Sequence, residues 1–215
     1  SAFKRYPRLY NALRRVLITS MLAGLSTRGA LKSVYPEGRA DKVILNIGSG
    51  VSRLGADVIN MDIHPFAGVH AVSDGRALPF RDASADMVLS EAVIEHIPDA
   101  HKALKEFGRV LKPGGYIYIH VPFLYPFHSS PNDYYRWTLE GLKNDLRDFE
   151  VIQRGMRAGP WSALLAVLMH ILALITSFGS KRLYHASIYF WMVILSPLKV
   201  IDLLFRIFPY ASDAA

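Results

Sequence analysis

An apolar run, Val43-Ile44-Leu45-Asn46-Ile47, leads straight into Gly48-Ser49-Gly50. Glycine at such a turn lets the backbone take unusual dihedrals and approach a ligand with no side chain between them. Twelve residues after Gly50, Asp62 closes a second apolar run, Val58 to Met61. That is the carboxyl end of a strand, where ligands sit in open α/β sheets. A carboxylate there can accept both hydroxyls of a ribose, or it can serve as a turn aspartate ahead of Pro65. A dinucleotide fingerprint would want glycine where Arg53 stands and an acid about 20 residues on, so nicotinamide and flavin are disfavoured. Farther along, Val121 to Thr138 forms a long aromatic loop carrying His128, Asp133, Tyr135 and Arg136, residues suited to lining a pocket. Either these groups face a substrate, or Asp133 and Arg136 pair with each other while the aromatics pack.

The elements that must position these residues follow from periodicity. Short apolar runs bounded by Gly, Pro and Asp predict buried parallel strands over Val43–Ile47, Val58–Met61, Val69–Val72, Asp86–Ser90 and Tyr116–Val121, with a late strand over Phe149–Gln153. Ala103, Leu104, Phe107, Val110 and Leu111 give a helical stripe over Asp99–Leu111, ended by Lys112-Pro113-Gly114-Gly115; Thr138–Leu146 is a further helix. Strands alternating with helices predict a Rossmann-like α/β fold, a doubly wound and mostly parallel sheet. The interval between Gly50 and Asp62 is too short for a full first helix.

Four elements, taken in order, resemble the class I S-adenosylmethionine-dependent methyltransferases, in particular the group of small-molecule and quinone methylases. They are the strand with its glycine turn, Asp62, the stretch Ser73-Asp74-Gly75-Arg76-Ala77-Leu78-Pro79-Phe80 followed by Asp86 to Ile97, and Arg109 to Tyr116. The resemblance covers Lys42 to Val121. It implies S-adenosylmethionine as cofactor, with Gly48, Ser49 and Gly50 under its methionine and ribose part, Asp62 on the ribose, and Asp74 with Gly75 at the adenine. Ser90 and Glu91 would line the methyl-donor pocket. Members usually carry an acid where this chain has Asn46, whose amide could still bond the glycine loop, and often a third glycine where it has Ser52. For a sulfonium donor, methyl transfer asks mainly for positioning. A hydroxyl acceptor also needs a base; His128 is the first candidate and Asp133 could orient it, with His96 and His120 behind them. His64, His101 and His128 lack metal-site spacing, so no metal is expected. The absence of cysteine excludes disulfides, thiolate zinc sites and cysteine nucleophiles.

The chain has 215 residues, a formal charge of +7 and 51% apolar residues, and charge and apolarity sit in different places. Ala2–Leu25 has the pattern of a basic amphipathic helix, suited either to packing on the domain or to lipid headgroups. After Gly159-Pro160 the stretch Trp161–Phe178 is nearly uncharged, and eighteen helical residues span about 27 Å, near the hydrocarbon thickness of a bilayer. Lys181 and Arg182 follow, then apolar Ala186–Leu195, then Lys199–Phe208 with Lys199, Asp202 and Arg206 on what looks like an interfacial helix. The expected domains are residues 1–34, a basic helix; 35–157, the cofactor domain; and 158–215, a hydrophobic membrane-associated tail. That tail is either monotopic or a hairpin, at the cytoplasmic face of a membrane. The expected partners are a lipid surface and a lipid or lipid-linked acceptor. Nucleic acid is not expected, because the Asn/Asp-Pro-Pro-Tyr/Phe motif of base amino-group methylases is absent. The expected activity is O-methylation of a membrane-associated small molecule, lipid or lipid-linked glycan; the alternative is a non-catalytic membrane adaptor on the same fold.

Overall fold

The computed structural model describes residues 25–128 and 132–205. The helix expected over Ala2–Leu25 lies outside the described residues, Leu25 excepted, as do Arg206 to Phe208. Two compact units emerge. One comprises Ser26–Phe123 and His128–Ile152; the other takes in Leu124–Phe127 and the described residues from Gln153 onward.

The first unit is built on five strands: β1 (Ile44–Ile47), β2 (Val58–Asp62), β3 (Ala71–Val72), β4 (Ala85–Glu91) and β5 (Leu111–His120). β1 is buried at every residue and β2 and β4 at nearly every one, because parallel strands covered on both faces leave no side for polar residues. All four pairings are parallel, in the order β3-β2-β1-β4-β5. The chain runs outward one way from β1 to β3 and the other way from β4 to β5. The order therefore reverses between β1 and β4, and a crevice opens beyond their carboxyl ends at such a point. Register sets Ile47 beside both Met61 and Ser90, so the glycine turn after β1 stands next to the residues that follow β4.

Helix α1 (Thr27–Val34) precedes the sheet, with Ser26 accepting from the Gly29 N–H at its N-cap. Helix α2 (Ala100–Val110) is capped by Asp99, which accepts from the Lys102 N–H, and buries the predicted stripe Ala103, Leu104, Phe107 and Val110. Phe107 is wholly buried against Leu45, Ile47 and Met61 in one cluster, a burial that stabilises by about 1.5–3 kcal/mol. Helix α3 (Leu139–Asp145) starts at the Thr138 cap. The guanidinium of Arg109 donates to Glu106, to Asp82 and to the carbonyls of Leu78 and Phe80, which ties the Leu-Pro-Phe loop to α2. Asp86 accepts from the Val43 N–H and from Lys112 Nζ, both at 2.8 Å, joining the near ends of β1, β4 and β5.

Three expectations are corrected in this unit. β5 begins at Leu111 rather than Tyr116: Leu111 pairs with Ala85, and Lys112 to Gly115 form an irregularity before Tyr116 pairs with Met87. β3 is two residues long. Phe149–Gln153 is not a strand; Phe149 packs on the core, but Val151 and Ile152 are exposed, and an apolar run that buries one side chain has no sheet face to fill. No helix intervenes between β1 and β2 among the described residues, as the spacing predicts.

In the second unit, α4 (Pro160–Thr176) packs along α5 (Lys181–Leu195), which continues through a 3₁₀ stretch (Ser196–Ile201) into α6 (Asp202–Phe205). His170 Nδ1 lies 2.8 Å from the Tyr184 hydroxyl, and Trp191 Nε1 donates to Thr176 Oγ1. The apolar stretch expected over Trp161–Phe178 is a 17-residue helix, shorter than a crossing needs, since Ser177 and Phe178 leave the helix. By length and composition the candidate is instead Lys181–Leu204, a 24-residue helical run containing an 18-residue window of mean hydropathy 1.6 that is 6% buried. Lys181 and Arg182 therefore open that helix rather than separating two apolar pieces. Asp202 is also not on a charged outer face. It is 2% exposed, and its carboxylate accepts from the backbone N–H groups of Gly159, Trp161 and Ser162 and from the Ser162 hydroxyl. The orphan donors and positive end of α4 supply what a buried carboxylate requires. A side chain at Gly159 would collide with that carboxylate.

Candidate active site

The glycine turn is permitted by glycine's backbone freedom and held by Asp62. Gly48 and Gly50 both have positive φ, +65° and +53°, a region that glycine occupies without penalty. A Cβ on Gly48 would lie 2.3 Å from Val93 Cγ2, so the turn and the segment after β4 fit closely. Asp62 Oδ2 accepts from the Gly50 N–H at 2.8 Å and Oδ1 from the His64 N–H at 2.9 Å, while the Ser49 N–H donates to the Met61 carbonyl. Asp62 is thus both the acid at the strand end and the clamp of the turn. Each of its oxygens keeps a second lone pair for a ligand hydroxyl.

The other cofactor candidates lie around the same crevice. Asp74 receives a forked ion pair from Arg76, with bonds of 2.6 to 3.1 Å, and the Arg76 N–H as well. The guanidinium holds its carboxyl below the usual range. Gly75 sits against Ile97, Ile47 and Phe107, where a Cβ would be tight. Ser90 is wholly buried and its hydroxyl has no partner. Glu91 accepts from Thr27 Oγ1 of α1, which brings α1 to the crevice, a role with no local signal around Thr27. Asn46 departs from expectation: its amide donates to Asn60 Oδ1 at 2.9 Å inside the sheet. Residues in register on neighbouring parallel strands pair before either can turn toward the loop.

The acceptor-loop candidates converge on a residue that the sequence did not single out, Glu95. It belongs to a short 3₁₀ turn, Ile94–His96, is completely buried, and among the described residues neither carboxylate oxygen has a hydrogen bond. Burial pushes its carboxyl up to about 7, opposed in part by Arg136. Its Oε1 lies 3.8 Å from His96 Nε2 and 3.8 Å from His128 Nε2, and the two imidazoles meet edge to face at 4.9 Å. Asp133, its side chain 2% exposed, takes a forked pair from Arg136, both bonds 2.5 Å, and accepts the His128 N–H at 2.9 Å. Arg136 above all holds the Asp133 carboxyl well below the usual range. His128 Nδ1 lies 3.4 Å from Asp133 Oδ2 and 3.5 Å from Arg136 Nη2. Nδ1 thus stands between a carboxylate that can only accept and a guanidinium that can only donate, and Nε2 faces Glu95. Asp133 and Arg136 do pair, as one reading of the loop had it, and the pair braces His128. Tyr135 is turned elsewhere: its hydroxyl donates to the Pro98 carbonyl at 2.6 Å and its ring lies over Trp137. The signal for Glu95 was a single acid inside the apolar run Val93-Ile94-Glu95.

Comparison with known proteins agrees with this geometry. Residues 47–119 match the family model described as a methyltransferase domain. The chain is 34% identical over 118 residues to a bifunctional biotin-biosynthesis protein of Cellvibrio japonicus, covering 46% of this chain and 24% of that protein. It is 25% identical over 153 residues to a ubiquinone biosynthesis O-methyltransferase of Pseudomonas paraeruginosa, covering 58% of this chain and 64% of that one. The chain spans less than two thirds of the length of these relatives. In fold it is similar to a phosphoethanolamine N-methyltransferase of Haemonchus contortus solved with S-adenosylmethionine, at a TM-score of 0.55 and 19% identity, over 93% of this chain and 54% of that one. Residues 47–119 of this chain thus match a methyltransferase domain, on a fold similar to that of a solved methyltransferase.

Proposed function

We propose that the protein transfers the S-adenosylmethionine methyl group to a hydroxyl of a membrane-associated acceptor, a small molecule, lipid or lipid-linked glycan, at the cytoplasmic face of a membrane. The observation that carries the reading is the braced His128 beside the cofactor crevice: an imidazole fixed by Asp133 and facing a buried carboxylate. Such a group can take the acceptor proton as the oxygen lone pair forms the C–O bond and the S–CH₃ electron pair returns to sulfur. The similarity to a ubiquinone biosynthesis O-methyltransferase favours oxygen as the methylated atom. The exposed apolar residues of α4 and α5, among them Leu174, Ile175, Phe190 and Ile194, favour a lipid surface, and a patch of that kind is what marks membrane contact on a protein. Whether the tail lies in one leaflet or spans the bilayer, the acceptor would be met at the interface. An adaptor without activity gains no support, since the glycine turn, Asp62 and the proton-handling cluster are all in place.

The test is transfer of radiolabelled methyl from S-adenosylmethionine into bacterial membrane lipid extracts, with a parallel liposome flotation. Label in the lipid phase, released by conditions that cleave O-methyl ethers or esters and lost in His128→Ala, is the expected result. Label on nitrogen, or none in any extract, overturns the reading; protein that does not float with liposomes removes the membrane half.

A further inference from the structure

Glu95, His96 and His128 present one oxygen and two nitrogens that lie within 4.8 Å of one another. Burying a carboxylate without a hydrogen bond is strongly unfavourable unless it is neutralised or meets a cation. Both imidazoles also have the arrangement of metal ligands. His96 Nδ1 lies 2.5 Å from the Asn132 carbonyl oxygen; a carbonyl can only accept, so Nδ1 carries the hydrogen and Nε2 keeps its lone pair on the side of Glu95. His128 Nδ1 faces the Asp133 carboxylate, and a carboxylate or carbonyl on the far nitrogen is the usual support of a metal-bound imidazole.

We propose that Glu95 Oε1, His96 Nε2 and His128 Nε2 bind a divalent first-row transition metal ion. Two imidazoles and one carboxylate suit zinc, iron or manganese better than magnesium or calcium, and three protein ligands leave positions open for a substrate oxygen. Ligands at about 2.0–2.2 Å from one ion stand roughly 3.4 Å apart, so the two 3.8 Å separations close by a few tenths of an ångström. The proposal rests on the O-methylation reading and deepens it, with the ion in place of the free His128 imidazole as the group that activates the acceptor hydroxyl. An acceptor hydroxyl bound to the ion is acidified and loses its proton to solvent water. Its oxygen then attacks the methyl carbon while the S–C bond breaks and its electron pair stays on sulfur. The substrate class is accordingly an oxygen acceptor able to coordinate a metal, such as a phenol with a neighbouring oxygen or a vicinal diol.

The experiment is titration of the full chain in detergent with Co²⁺, followed by its visible absorption, beside calorimetric titration with S-adenosylhomocysteine. One equivalent of Co²⁺ absorbing as a low-coordinate nitrogen–oxygen site and displaced by Zn²⁺ is expected. At least tenfold weaker Co²⁺ binding is expected in both Glu95→Gln and His96→Gln, with S-adenosylhomocysteine affinity kept as the check on folding. Should one variant fail that check, the other carries the test. No stoichiometric Co²⁺ in a chain that binds S-adenosylhomocysteine overturns the metal site and leaves His128 as the proton acceptor; so does Co²⁺ binding unchanged in a folded variant. Co²⁺ binding without S-adenosylhomocysteine binding would instead defeat the methyltransferase reading and leave the metal site standing.

Discussion

On the glycine-turn side of the crevice, both oxygens of Asp62 already hold backbone N–H groups and Asp74 is matched by Arg76. On the loop side, Glu95 is more deeply buried and holds none among the described residues. On the glycine-turn side it is the carboxylates that are engaged, Asp62 by the N–H groups of Gly50 and His64 and Asp74 by Arg76, while the Ser49 hydroxyl of the turn has no partner among the described residues. The acceptor side keeps unsatisfied groups that a ligand can satisfy. A carboxylate already engaged on one side and one left unengaged on the other fits the proposed transfer, in which one binding partner is common to every turnover and the other brings the reacting atom.

The comparison can be broken most directly at the brace of the loop. Removing Arg136 leaves Asp133 with a nearly buried, uncompensated charge, so Arg136→Ala should destabilise the protein by about 2–4 kcal/mol, the lower part of the range reflecting the partial exposure of the guanidinium. Urea unfolding followed by circular dichroism measures it, and a change below 1 kcal/mol would mean that the loop is not braced. Next in size is Gly48→Ala, which adds a Cβ in a left-handed conformation and against Val93. Together these should cost about 2–3 kcal/mol. Adding Val93→Ala should recover the steric part but not the backbone part, which separates the two causes by the same measurement.

A smaller effect sharpens the cofactor side. Asp62→Ala removes the acceptor of the Gly50 N–H together with the proposed ribose contact, and should raise the dissociation constant for S-adenosylhomocysteine at least about tenfold, or about 1.4 kcal/mol, in calorimetry. An unchanged constant would make Asp62 a turn residue only. The smallest effect is expected away from both sides, at Asp86, whose carboxyl Lys112 above all holds below the usual range. A depressed folded pKa means that its contribution is present above the unfolded value near 4 and is lost as pH falls through the folded one. Asp86→Asn should therefore lower stability by about 1 kcal/mol at pH 7, and the difference from the native chain should shrink steadily below about pH 4 in unfolding curves taken across that range. A constant gap would show that the ion pair contributes nothing.

Much of the frame was legible because its signals are local. A continuously apolar strand, a glycine that needs positive φ, the stripe of α2 and the caps Asp99 and Thr138 depend on residues a few positions apart. Where the signal was local but weak, as in Phe149–Gln153, apolarity alone could not say whether a neighbouring strand existed to pair with. In the tail, the apolar count was right about character and wrong about limits. What ends α4 is the backbone at Ser177 to Gly179, and what starts it is a carboxylate more than forty residues later, Asp202. No periodicity reports a cap that the chain returns to supply, and an aspartate spaced among apolar residues is indistinguishable in sequence from one facing water.

The sequence by itself determined that this chain forms a parallel sheet with a glycine turn and an acid at the next strand end, since hydrophobic period and backbone stereochemistry act over short distances. It also brought Asp133, Arg136 and His128 into one loop. Only the tertiary structure decided what they face. The crossing between β1 and β4 lays the His128 loop over the 3₁₀ turn of Glu95 and His96, and Asn46 is drawn to Asn60 by strand register rather than to the loop beside it. Burial is a property of everything packed around an atom, so the lone carboxylate that ties the acceptor side together could be seen only when residues distant in the chain had closed over it.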